Sequence, residues 1–430
     1  MGMMSKYRID QDFKTFGKFW EDGNEGNEFT GTLSSRKGVT RLTASPAYGA
    51  LDDSAIRAAL SQMGTAREIQ KRSSIRGFTK LGNCSLLNIV SLGGDGLANF
   101  PTMQGVSRDR YRAMRTVMGL HIESSDTKVL DGAAYYFSKI HHLLPLPWKT
   151  QLTEGESVHT VPNKSQEVFR FASSYLDAEV ICEVFEGGSN KARKGVRIKS
   201  VPRVRITPTN PKSVDWFASL AFRLENFFTL ILGTSVGIKH VQLFQGDNAG
   251  WLIQAVRRHK EKVNFQTWVR CTNSDASKAL EKWLSVPNDD QIIELTLLGN
   301  VRKSSLFGET EFLTLAQALE GFARIRFGGS KRRAAKFDDL IDQTYDLFSP
   351  ILANAIVGEK SDFRLKVIQT RDFYTHLGNP KGSSAVKTMK ELFLFNKRLI
   401  AFLRGAMLID LGIPEENFSE AVIYQATRWK

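Results

Sequence analysis

The segment from Arg371 to His376 contains the two residue types that could cleave RNA without a metal. An imidazole changes its protonation near neutral pH and can move a proton, and a guanidinium can bind a phosphate oxygen. The 2′-hydroxyl of the ribose would then be the nucleophile. The spacing alone is weak evidence, because such a pair arises by chance about once in every two chains of this length and composition.

The geometry of an α-helix limits how these two side chains could act together. Five residues of ideal helix turn through about 500°, so Arg371 and His376 would lie about 140° apart around one helix. Either the helix unwinds near His376, as Gly378 and Pro380 permit, or the site combines side chains from two copies of the domain. A purely structural interpretation is also open: Arg371 lies along a helical bundle, and His376 caps the end of its helix, where a cation is favoured.

The part of the chain that carries this pair has the pattern of a helical bundle. From Leu306 onward, almost every apolar residue recurs with the 3.6-residue period of a helix. This pattern predicts helices at 312–323, at 337–348, from about 362 to a stop at 378–380, at about 384–409, and at 414–429. Four or five helices with short loops predict a bundle over residues 301–430.

Residues 1–300 have a β-rich pattern with helical inserts. Short runs of mixed polarity between Gly, Asn and Pro predict strands and loops over 13–96, and further strands are predicted at 194–208, 239–245 and 262–271. A helix is predicted between the N-cap Ser213 and Gly233, and another at 274–284. The predicted fold class is therefore α+β, with a β-rich N-terminal domain followed by an all-α helical bundle.

Composition and net charge indicate the class of partner and the compartment in which the protein acts. With 59 Lys and Arg against 45 Asp and Glu, the net charge of +14 favours polyanionic partners such as RNA, DNA or acidic lipid. Three widely spaced cysteines provide neither a disulfide framework nor a zinc ribbon, which fits a reducing cytosol. The N-terminus lacks the apolar core of a signal peptide, and the best membrane candidate, 216–238, is interrupted by polar and charged residues. We therefore expect a cytoplasmic protein that does not bind a membrane.

Signature motifs of several enzyme classes are missing from the sequence. No GxxxxGK[ST], HExxH or CxxC occurs, so nucleotide hydrolases and zinc proteases lack their signatures. His141 and His142 have no companion ligands in the sequence. We therefore predict no metal site and no cofactor.

Charged residues near the first predicted helix of the bundle are the remaining candidates. Glu320 and Arg324 are four residues apart, so a surface ion pair explains them, and a role for Glu320 in the site is the alternative. Arg324, Lys331, Arg332 and Arg333 could follow an RNA backbone, or they could simply be solvated.

The residues of the bundle resemble those of a HEPN domain, specifically the ApeA-like branch, whose mark is an Arg-polar-x-x-x-His motif in a helical bundle. FLTLAQALEGFARIRFG resembles the first helix of that branch, with its acidic residue at Glu320. TRDFYTHLGNP resembles the motif helix, and ELFLFNKRLIAFLRGAMLIDLGI resembles the long helix. The N-terminal part is similar to the ApeA N-terminal domain through GKFW, FTGTL, SIRGFT and the RTVMGLHIES…LLPLPW stretch.

The resemblance implies a metal-independent endoribonuclease that dimerises through its HEPN bundle and acts in bacterial defence against phage by abortive infection. By this resemblance, Arg371 holds the scissile phosphate, His376 acts on the 2′-hydroxyl or the leaving group, and Asp372 orients one of them. Tyr374 is expected to support the site. The product would carry a 2′,3′-cyclic phosphate, and transfer RNA is one candidate substrate. Asp372 stands where Asn is the more usual residue, a departure that could weaken activity.

Two alternatives from other functional classes stay open. The bundle could be an inactive HEPN module that binds RNA or dimerises. A ligand-sensing β-domain with a helical oligomerisation tail would instead have a ligand-sized pocket in the N-terminal half. In the nuclease hypothesis, the N-terminal part senses an unknown phage trigger or restrains the nuclease.

Overall fold

The fold is taken from a computed structural model of the chain. It describes residues 8–45 apart from 24 and 27, 71–96, 107–137, 140, 149–153, 156–160, 166–189, 197–255, 265–286, 308–327, 335–376 and 384–429.

The N-terminal part is built on antiparallel strands. The strands are β1 (Phe13–Glu21), β2 (Phe29–Arg36), β3 (Val39–Ser45), β4 (Lys71–Thr79), β5 (Gly82–Gly96), β6 (Ser107–Met118), β7 (Gly132–Phe137), β8 (Lys149–Thr153), β9 (Glu156–Thr160), β10 (Gln166–Ser173), β11 (Ala178–Ser189), β12 (Arg197–Pro208), β13 (Ile238–Gln245) and β14 (Asn248–Gln254). β8 and β9 form a separate pair, and the other strands form one sheet in the order β10-β11-β12-β7-β13-β14-β6-β3-β2-β1-β4-β5. Because β5 also pairs with β6, the last six strands of that order close on themselves.

The closed six-stranded sheet has its own apolar core. Buried and more exposed residues alternate along β1 and β2, the period expected when one face of a strand packs inward. Phe19, Leu33, Leu42, Ile75 and Leu86 are buried in this core. β7, in the open part of the sheet, is buried at all six of its residues because both of its faces are covered.

One long helix covers the open part of the sheet, as the sequence predicts. Helix α1 (Val214–Leu232) begins after Ser213, whose hydroxyl accepts a hydrogen bond from the backbone N–H of Trp216. It ends at Gly233, which has a φ of 63° that favours glycine. The Tyr135 hydroxyl of β7 donates to the Phe217 carbonyl and ties the helix to the sheet. The predicted helix at 274–284 is also confirmed, as α2 (Asn273–Ser285).

The strand predicted at 262–271 is wrong where the structure describes it. Phe265–Thr267 is a single 3-10 turn, and the residues after it are not in a strand. The backbone N–H of Val269 donates to the Ile231 carbonyl, and that of Arg270 donates to the Asn417 carbonyl. These long-range bonds use the backbone groups that a strand would need.

The C-terminal part is helical, which confirms the predicted α+β fold class. The helices are α3 (Gly308–Phe327), α4 (Phe337–Tyr345), α5 (Pro350–Val357), α6 (Lys360–Thr375), α7 (Met389–Asp410) and α8 (Ser419–Thr427), with a 3-10 turn at Glu415–Asn417 before α8. Stacked and edge-on aromatic rings fill the centre, among them Phe312, Phe363, Phe395 and Phe402. Helix α5 is not among the helices predicted from the sequence; Pro350 occupies its first turn, where a proline is tolerated.

The two parts share one apolar core, which runs from the open sheet through α1 and α2 into the bundle. The boundary near residue 300 stays a prediction. None of the helices in the described ranges is both long enough and apolar enough to cross a membrane.

Candidate functional site

Arg371 lies on α6 and is held from two sides. Its guanidinium forms an ion pair with Glu320 Oε2 of α3 at 3.1 Å and lies over the ring of Phe337 of α4, 4.8 Å from the ring centre. The side chain keeps 38% of its surface exposed. Arg371 is therefore fixed in direction and still open to a ligand on one side.

Glu320 connects two arginines. Its Oε1 accepts from Arg324 Nη2 at 2.6 Å and from Nε at 3.0 Å, while its Oε2 faces Arg371. The carboxylate is 20% exposed, so these pairs are less screened than surface pairs. The Glu320–Arg324 pair that the sequence indicates is present, and the same carboxylate also holds Arg371.

His376 is the C-cap residue of α6. Its backbone N–H donates to the Asp372 carbonyl at 2.9 Å, so the helical register continues to His376 and no unwinding precedes it. The exposed residues of α6 include Asp362, Leu365, Asp372 and His376, whose spacing places them along one side of the helix.

The Arg371 and His376 side chains thus project from different sides of α6. At 100° per residue, Arg371 lies about 140° from His376 and close to the buried side of the helix. Within the described residues, no hydrogen bond or ion pair joins Arg371 to His376 or Asp372. The structure brings together Arg371 and Glu320, while His376 and Asp372 lie on the exposed side.

Tyr374 packs inward from the end of α6. Its ring centre lies 6.3 Å from that of Phe312 and 4.9 Å from that of Phe373. Burial raises the pKa of the Tyr374 hydroxyl, and the nearby Glu309 adds to this effect. The ring therefore supports the end of the motif helix.

Of the four basic residues predicted to bind RNA, Arg324 lies in the described part of the chain. Arg324 is occupied by Glu320 and donates through Nη1 to the Ala335 carbonyl at 3.1 Å. Lys331, Arg332 and Arg333 lie outside the described residues. Their role stays a prediction.

The long helix carries a buried arginine that the sequence does not single out. Arg404 of α7 is 3% exposed and donates to the carbonyls of Leu230, Ile231 and Thr267 at 2.7–2.9 Å. It also donates to Gln425 Oε1 at 2.9 Å. Burial lowers the pKa of Arg404 to about 9, so it stays charged at neutral pH. An isolated arginine in the apolar seam FLRGAML carries no sequence signal for this role.

A cleft of about 480 Å³ lies where the two parts meet, away from the predicted site residues. Gln266, Trp268 and Arg270 line one side, and Glu420 and Tyr424 are among the residues of the other. The ligand-sensor alternative expects a pocket within the N-terminal half, whereas this cleft has walls from both parts. In the described part of the chain, no group of three His, Cys, Asp or Glu residues could hold a metal ion.

Comparison with known families gives the class of the chain. A family described as ApeA N-terminal domain 1 matches residues 14–283, and one described as Apea-like HEPN matches residues 313–417. The C-terminal bundle is thus a HEPN-type domain. At the level of the family, this class of domain is consistent with a nuclease or defence-type function. Since the first match covers more than half of the sequence, the chain belongs to the ApeA family of HEPN proteins, which confirms the resemblance. No curated protein and no solved structure matches the chain significantly.

Proposed function

We propose that the protein is a metal-independent endoribonuclease that acts in defence against phage. The observation that carries this proposal is the position of Arg371, held by Glu320 and Phe337 yet 38% exposed, on the helix that ends at an exposed His376. A fixed, accessible cation is suited to a phosphate, and an exposed imidazole is suited to proton transfer.

The proposed site forms between two copies of the chain. The unbroken register of α6 places Arg371 and His376 on different sides of one helix. Of the two arrangements that the sequence leaves open, this geometry favours the one in which Arg371 of one copy and His376 of another meet at one phosphate. A homodimer through the HEPN bundle would provide two such sites.

The reaction needs only groups of this chain and of the RNA. The His376 imidazole of one copy takes the proton of the 2′-hydroxyl, whose oxygen attacks the adjacent phosphorus. The bond from phosphorus to the 5′-oxygen breaks, and the His376 imidazolium formed in the first step gives its proton to that leaving oxygen. Arg371 stabilises the charge that develops on the phosphate. The products are a 2′,3′-cyclic phosphate and a 5′-hydroxyl.

Asp372 and the N-terminal part have supporting roles in this proposal. Asp372 is exposed on the same side of α6 as His376, from where it would orient the imidazole in the dimer. The N-terminal part restrains the nuclease in the cytoplasm until a phage trigger is present, and transfer RNA is the first substrate to test.

Cleavage of labelled RNA in the presence of a chelator tests the proposal. His376→Ala and Arg371→Ala should each lower the rate about 100- to 10,000-fold. Arg364→Ala is the matched control, since Arg364 lies on the same helix, is 37% exposed and also pairs with a carboxylate, that of Asp342.

The inactive-module alternative gives a different result in the same assay. If the His376→Ala protein cleaves and binds RNA as the wild type does, the nuclease proposal fails. RNA binding without cleavage by the wild type would favour the inactive module.

A further inference from the structure

A group of large apolar side chains is exposed at one end of the bundle. Met389 and Phe393 of α7 are 53% and 42% exposed and lie one helical turn apart. Trp429, after α8, is 43% exposed, and its ring centre lies 5.8 Å from that of Phe393 in an edge-on arrangement. These three side chains adjoin one another, and adjoining exposed apolar groups are the feature from which binding surfaces are built.

Cations flank these aromatic rings. The Arg428 guanidinium lies over the Trp429 ring, 4.5 Å from its centre, and Lys397 Nζ lies 5.1 Å from the centre of the Phe393 ring. Lys387 and Lys390 are exposed around the start of α7.

The nearby acids are fewer than the cations. Glu391 accepts from the Thr388 hydroxyl, and the largely buried Glu311 accepts from Asn396 and pairs with Lys397 at 3.4 Å. Glu309 adds a third carboxylate, since its neighbour Gly308 lies against Met389. Four cations thus face three carboxylates, and the surface keeps a net positive charge.

This surface lies at the end of the bundle that carries His376. The Val386 N–H, just before α7, donates to the Thr370 hydroxyl of α6 at 3.0 Å, while Phe363 near the start of α6 packs on Phe402 further along α7. The two helices therefore run antiparallel, and the start of α7 is beside the end of α6.

We propose that Met389, Phe393 and Trp429 form a platform on which bases of single-stranded RNA stack, with Lys387, Lys390 and Arg428 contacting the phosphates. This inference rests on the proposed function, since it places the strand that the nuclease cuts. Aromatic faces flanked by cations are the arrangement that binds single strands without reading their sequence. Charge complementarity favours a polyanion over a second copy, because two copies meeting through this face would bring their lysines against each other.

RNA binding by a cleavage-deficient protein tests the platform. In the full-length His376→Ala background, the affinity for a fluorescein-labelled single-stranded RNA is measured by anisotropy. Phe393→Ala and Trp429→Ala should each weaken binding about tenfold, because each removes a stacking face. Phe78→Ala is the matched control: this ring is 61% exposed on β4 of the N-terminal sheet, and its loss should leave the affinity unchanged. A duplex of equal length should compete poorly, since its bases are already stacked.

Two outcomes would overturn the platform. One is an unchanged affinity in both aromatic variants. The other is a loss of the oligomeric state of the wild type in sedimentation of Phe393→Ala or Trp429→Ala, which would assign the face to contact between copies. These results are separate from the nuclease proposal, which depends on whether His376→Ala abolishes cleavage and not on how tightly RNA binds.

Discussion

Arg404→Met should strongly destabilise the protein, because Arg404 joins the long helix of the bundle to the N-terminal part. Its guanidinium donates to four buried acceptors, among them two carbonyls at the end of α1 and one in the 3-10 turn Phe265–Thr267. Methionine would fill much of the space but would leave these oxygens without donors.

The magnitude follows from these contacts. A hydrogen bond from a charged donor contributes about 1.5–3 kcal/mol, and removing a buried charge recovers part of its desolvation cost. The free energy of unfolding should therefore fall by about 3–5 kcal/mol. Arg404→Lys keeps the charge but has fewer donors on a narrower head group, so its loss should be smaller, about 1–3 kcal/mol.

Urea unfolding followed by tryptophan fluorescence measures this loss. Arg398→Met, a half-buried position on the same helix, is the control and should change the free energy of unfolding by less than about 0.5 kcal/mol. An Arg404→Met protein as stable as the wild type would refute the assignment of Arg404 as the link between the two parts.

Three further predictions test other parts of the structure. Glu320→Gln removes the charge that holds Arg371, so the rate of RNA cleavage should fall about ten- to hundredfold while RNA binding changes little; an unchanged rate would contradict the positioning role. Burial, and then a neighbouring arginine, lowers the pKa of His121, so on acidification the unfolded chain binds protons there before the folded protein does and stability is lost. Thermal melting should show a smaller loss between about pH 7 and about pH 5 for His121→Gln than for the wild type, and equal losses would contradict this. Gly405→Ala places a methyl group 2.6 Å from the Phe348 ring, so the free energy of unfolding, measured in urea, should fall by about 1–3 kcal/mol. An unchanged free energy of unfolding would show that the ring moves away freely.

The sequence predicts best the elements whose signals are local. The helix between Ser213 and Gly233 is predicted because its cap, its apolar spacing and its terminating glycine all lie within one stretch. The strand expected at 262–271 fails because its backbone bonds go to Ile231 and Asn417, which are distant in sequence. The closure of β5 on β6 likewise depends on pairing that no short window contains.

The candidate site also combines residues that local sequence signals reveal with contacts between residues that are distant in the sequence. Arg371 and His376 are found from residue type, spacing and family resemblance. Helix geometry predicts that they do not share a face of an intact helix, which leaves either unwinding near His376 or a second copy. The contact from Glu320 to Arg371 joins α3 to α6, and only the three-dimensional structure reveals it. Arg404 has no sequence signal, because its acceptors are main-chain carbonyls that every residue possesses.

Complementation between two inactive variants tests the two-copy nuclease site most directly. Arg371→Ala and His376→Ala proteins are unfolded together, refolded as a mixture so that dimers exchange, and assayed for RNA cleavage. If Arg371 of one copy works with His376 of the other, half of the dimers contain one complete site, and the mixture should recover about a quarter of the wild-type rate. A mixture as inactive as either variant alone would contradict a site shared between copies.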